Sequence, residues 1–143
     1  MFKKEKAFKL AVITLGIIAG IDLLRGVMHT FLIMWASENI AHMTQTADTL
    51  FLMNTFGVSN LLTGFIFILI LWKAKVLAPY ILVLVPVIYL VGVISSNLTG
   101  IAAMQTSEWN GQYLMYVYLG VSFISGSNYF ISALRDKNKL FNS

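Results

Sequence analysis

Apolar positions run almost unbroken through four stretches, at about 7–36, 49–72, 76–97 and 112–134, and most charged residues collect between them and at the ends. A helix that crosses a bilayer needs roughly 20 predominantly apolar residues. Each stretch reaches that length, so the pattern predicts four transmembrane helices. The first is longer than a crossing requires and is expected to tilt or protrude. Its Lys3, Lys4, Lys6 start has the look of a signal peptide. The apolar run is too long for one, contains Arg25 and lacks a small-residue cleavage site, so the segment is expected to be retained. The short link Lys73-Ala74-Lys75 predicts a tight antiparallel hairpin of spans two and three. The links 37–48 and 98–111 are longer; the second, with Trp109, is expected to lie along the interface. Pro79 falls in the first turn of span three, where a missing N–H costs little, and Pro86 is expected to kink that helix. The charged tail after Leu134 is expected to fray.

Composition sharpens the class. The 143 residues are 58% hydrophobic and 11% charged, with a mean hydropathy of +0.79. A soluble domain carries about 25% charged residues. The chain therefore reads as an all-α integral membrane protein, one four-helix domain over 1–143. With no Cys, a disulfide, a thiol nucleophile and a cysteine-based metal centre are excluded. The net charge of +4 does not imply nucleic acid, because the basic residues flank the apolar runs. Lys3, Lys4, Lys6 and Lys9 precede span one, Lys73 and Lys75 fill the middle link, and Arg135, Lys137 and Lys139 follow span four. The other two links hold only Glu38, Asp48 and Glu108. The positive-inside rule then predicts an antiparallel up-down bundle in a plasma or inner membrane, with both termini cytoplasmic. So strong a bias argues against a dual-topology dimer. Trp35 and Trp109 fall at the expected outer boundary and Trp72 at the inner one.

Asp22, Arg25 and His29 interrupt span one. Charged side chains within a span cost about 2.5–3.5 kcal/mol each on insertion scales, and are kept where they pair or function. Their i, i+3, i+7 spacing places them on one stripe of the helix. Arg25 is expected to pair with Asp22 within the turn. Counting ~1.5 Å per residue from Lys9, Asp22 lies ~20 Å from the inner boundary, in the outer half of the membrane. Asn54 and Asn60 on span two, Tyr89 on span three and Tyr116 on span four offer partners at similar depth, and Gly57 and Gly64 allow close approach. These residues predict an outward cavity lined by Asp22, Arg25, His29, Asn54, Asn60, Tyr89 and Tyr116. The competing reading is interhelical glue, since polar contacts also hold membrane helices together.

Three weaker patterns remain. Met28-His29 and His42-Met43 bring thioether beside imidazole, a ligand set suited to Cu(I). Met also fills gaps in apolar packing, neighbours on a helix diverge, and no Met-x-x-Met repeat occurs, so no cofactor is expected. Haem held by His29 and His42 is less favoured still, since His42 sits in a link. Gly16 and Gly20 form a single G-x-x-x-G step on a face away from Asp22. That face offers contact to a second copy, or to another span, which is preferred. Asn97-Leu98-Thr99 matches a glycosylation triplet, a pattern common by chance.

The function expected from the sequence is binding or transport of a small amphipathic or anionic ligand, with Arg25 as anion contact and membrane lipids as surroundings. The alternatives are an intramembrane enzyme acting on a lipid-like substrate, with Asp22 and His29 as acid–base groups, and an accessory subunit of a larger membrane complex.

Overall fold

A computed structural model of the chain describes residues 3–104 and 111–141. It is all-helical, with four helices long and apolar enough to cross a membrane. Helix α1 spans Lys4–Phe31, α2 Ile33–Ala36, α3 Ala47–Lys73, α4 Ala78–Leu98 and α5 Gly111–Phe141. The long first apolar run is therefore broken at Leu32, whose backbone (φ −114°, ψ 31°) leaves the helical region. A π-helical turn, Ser37–Ala41, follows α2 and closes on His42 in the left-handed region at φ 50°. The link is ordered by its own polar groups. The Gln45 amide donates to the Met34 carbonyl and the Ser37 hydroxyl, and Thr46 and Thr49 form a reciprocal cap that starts α3. Pro79 lies in the first turn of α4, as its missing N–H allows. Helix α5 continues through the charged tail to Phe141, where fraying was expected. The link segment holding Glu108 and Trp109 lies outside the described residues, so the interfacial helix expected there is not described.

Helix α1 is the most deeply buried of the four spans. It packs along α3 on one flank and along α5 and α4 on another, while α4 and α5 pack on each other. The extended partner of α3 is α1 and not α4. The tight hairpin expected from Lys73-Ala74-Lys75 therefore does not form an extended packed pair: after the 3-10 turn Lys75–Leu77, α3 and α4 share the core at Phe67, Ala78 and Leu82, and α4 packs mainly on α5.

Glycines set the α1–α3 distance. A Cβ added at Gly57 would lie 2.6 Å from the Thr30 hydroxyl and 2.8 Å from the His29 backbone. One at Gly26 would lie 2.8 Å from the Leu61 nitrogen, and one at Gly64 2.8 Å from the Leu23 side chain. Gly16 meets Leu71 at an ordinary 3.7 Å. Contacts thus descend α3 as they climb α1. Met53, Gly57, Asn60, Gly64 and Phe67 are the buried positions of α3, alternately four and three residues apart, the repeat of knobs-into-holes packing.

Ala11, Leu15, Ile18 and Ala19 of α1, Phe67 of α3, Ala78 and Leu82 of α4 and Tyr118 of α5 form the main core. A second cluster joins Ala36, Ala41 and Met53 with Met28, Ile33 and Met43 at the α2 end. Gly20 has open space around it.

Candidate functional site

The α1 stripe divides between two neighbours. The Tyr118 hydroxyl on α5 donates to Asp22 Oδ2 at 3.1 Å, and both residues are buried, 6% and 3% exposed. Further along the same seam the Ser125 hydroxyl donates to that of Thr14 at 3.0 Å. The Ser122 hydroxyl turns back to the Tyr118 carbonyl. Arg25 takes the other direction. Its guanidinium carbon lies 5.5 Å from the centre of the Phe56 ring on α3, and the His29 ring stacks on the same Phe56 at 5.8 Å.

The Asp22–Arg25 ion pair expected from their spacing does not form, whereas Glu5 and Lys9 do pair at the exposed start of α1. Three residues turn a helix by about 300°, so the two side chains leave α1 about 60° apart. Tyr118 completes the carboxyl of one, and Phe56 faces the cation of the other.

Asn60 is a buried amide on the α3 seam. It is 6% exposed, and its Nδ2 has no partner among the described residues. Phe56 and Asn60 stand about three and about two turns before Phe67, which reaches the core shared with α4 and α5. That flank of α3 therefore faces the cleft between α3 and the α4–α5 pair. His29 Nδ1 and Thr30 Oγ1 are likewise buried without partners. A buried donor left unmade costs about 1–3 kcal/mol, so such atoms mark places where a further group belongs.

The structure thus turns Arg25 and His29 onto Phe56, holds Asp22 on Tyr118, and buries Asn60 on the α3 seam, while Tyr89 is half-buried on α4. It does not bring in Tyr116. Tyr116 is 59% exposed on the outward face of α5, because two residues turn the helix by about 200° from Tyr118. The Asn54 amide donates to the Thr30 carbonyl at 3.4 Å, a tether between α1 and α3. Phe56 is the participant with no place in the sequence-based lining, and Tyr118, not Tyr116, is the tyrosine of α5 that meets Asp22.

His42 is exposed, and Met28 and Met43 pack in the apolar cluster around Met53. The soft ligands considered for Cu(I) are thus split between an apolar cluster and an exposed link. No group of three or more His, Asp or Glu side chains gathers among the described residues.

No protein-family profile, curated protein or solved structure matches the chain. The reading of the site therefore stands on its geometry.

Proposed function

We propose that the protein is a membrane protein that binds, or binds and moves, an anionic amphipathic ligand at Arg25. One observation carries this reading. Arg25 lies half-buried within a membrane-length helix, its guanidinium meets an aromatic ring and no carboxylate, and the Nδ2 of Asn60 and the Nδ1 of His29 are buried without hydrogen-bond partners. A cation kept inside a span at such cost calls for an anion. The planar guanidinium fork suits a carboxylate or phosphate, and the Phe56 ring supplies an apolar wall. Losing a charge-assisted hydrogen bond costs about 1.5–3 kcal/mol. Arg25→Gln should then lower ligand occupancy about 10- to 100-fold, read by native mass spectrometry of the purified protein. Arg25→Lys should give part of that loss, because it keeps the charge without the fork. Unchanged occupancy in both variants would remove Arg25 from the site.

The proposal includes an orientation. The four long helices alternate in direction, both termini are cytoplasmic, and the Arg25 cluster lies in the outer half of a plasma or inner membrane. Nine of the ten basic residues flank the predicted cytoplasmic ends. The chain has no cysteine, so single cysteines report sidedness cleanly. One at Lys75 should resist an impermeant thiol reagent in intact cells, and one at the exposed Glu38 should react. The opposite pattern would move the site to the cytoplasmic half.

The saturated seam of α1 and α5 favours a second reading. Asp22 with Tyr118 and Thr14 with Ser125 are mutually satisfied pairs, as expected of an accessory subunit whose polar groups hold its own helices together. That reading leaves Arg25, Asn60 and His29 unexplained.

A further inference from the structure

Along the helix axes Arg25 and Phe56 lie between two apolar clusters. Toward the α4 start, Phe67 joins Ala78 and Leu82 in the main core, an apolar plug. Toward the α2 end, Met28, Met43 and Met53 form a second apolar plug with Ala36 and Ala41. Between these plugs α3 makes its extended contact with α1, not with α4. Helix α4 is covered at its start, at Ala78, Pro79 and Leu82. Beyond Pro86 it stands open: Ile88 is 59%, Leu90 57% and Val91 57% exposed, and Phe56 across the cleft is 41% exposed. In a bilayer, surface of this kind meets acyl chains, not water.

We propose that the occupant is a membrane lipid or fatty acid. Its carboxylate or phosphate headgroup reaches Arg25 sideways, between α3 and the later half of α4, and its chain stays along the exposed apolar face of α4. The inference rests on the anion-binding reading above and adds the source of the ligand and its route. Charge complementarity selects the headgroup. The cluster offers the guanidinium of Arg25, the amide of Asn60 and the imidazole of His29, all able to donate, and the nearby carboxyl of Asp22 is already held by Tyr118. A zwitterionic headgroup would bring a cation that finds no free carboxylate among the described residues of the cluster. The Met plug disfavours direct access from water at the α2 end, and the short turn Phe31–Trp35 there is itself apolar and exposed, with Phe31 at 71% and Trp35 at 53%.

Gly92 gives a handle on the route. It lies one turn beyond Tyr89 on the same side of α4, and a Cβ there would meet nothing within 4 Å. Gly92→Trp should fold normally and narrow the opening. The experiment is native mass spectrometry of the full chain in a neutral detergent, with oleate, phosphatidylglycerol, phosphatidylcholine, acetate and inorganic phosphate offered at equal concentration. Melting temperature is recorded for every variant. Oleate or phosphatidylglycerol should be retained at least about tenfold better than the other three. Arg25→Gln should abolish that difference, and Gly92→Trp should reduce retention several-fold at an unchanged melting temperature. Acetate or phosphate bound as well as the chain-bearing anions, and lost in Arg25→Gln, would overturn the lipid source and leave the anion reading standing. Retention indifferent to Arg25 for every probe would overturn both. Full retention in a well-folded Gly92→Trp protein would overturn the sideways route.

Discussion

Gly57→Leu is expected to leave little folded protein. A single added carbon at Gly57 already lies 2.6–2.8 Å from Thr30 and the His29 backbone. That backbone cannot swing aside as the end of a flexible side chain can. Overpacking a well-packed contact costs about 1–3 kcal/mol, and more where backbone must move. Gly57→Ala should therefore lower the melting temperature in detergent measurably, and Gly57→Leu should separate α3 from α1. Because α1 is the extended partner of α3, α3 has no second face to fall back on. Gly20→Leu is the control: a Cβ there meets nothing within 4 Å, so its melting temperature should match the parent's. Equal tolerance of leucine at Gly57 and Gly20 would contradict the close α1–α3 approach. The Gly57 variant should also lose ligand, since Phe56 and Asn60 reach the site only while α3 is seated.

Much of this packing is written in the chain. The repeat Met53, Gly57, Asn60, Gly64, Phe67 marks the buried seam of α3, and the small residues Gly57 and Gly64 announce close approach. The four long helices follow from apolar run length alone. Which helices become neighbours is less legible. A membrane helix that is apolar all round carries little signal for its orientation, and the short 73–75 link was compatible with α3 packing on α4 or turning away from it. The same limit explains the site. The stripe Asp22, Arg25, His29 stands out because charge is costly in a span, whereas its partners are set by the rotation of α5 and α3. Tyr116 and Tyr118 are two positions apart on an aromatic-rich segment, and only one faces inward. A usable signal was present: Tyr118, Ser122, Ser125 and Ser132 recur at four, three and seven residues and are all buried, so a polar stripe marked the inner face of α5. Phe56 had no such mark among the many apolar residues of α3.

That α5 stripe leads to the second large expected effect, on Asp22. Buried polar pairs are most informative when each partner is removed alone and then both together. Tyr118→Phe removes the donor that Asp22 receives at 3.1 Å, and Asp22→Ala leaves a buried phenol without an acceptor. Each single change should cost about 1–3 kcal/mol, the penalty of an unmade buried hydrogen bond. The double variant should lose less than the sum, with a coupling of about 0.5–2 kcal/mol in thermal or denaturant unfolding in detergent. Asp22→Asn should be milder than Asp22→Ala, because the amide oxygen can still accept from Tyr118. The companion cycle of Asp22→Ala with Arg25→Gln should show the smaller coupling, since no ion pair joins those two side chains and what remains between them acts across a gap. A larger coupling to Arg25 than to Tyr118 would reinstate the ion pair suggested by the i, i+3 spacing. Arg25 would then be a structural cation, and the case for an anionic ligand at its guanidinium would lose its main support.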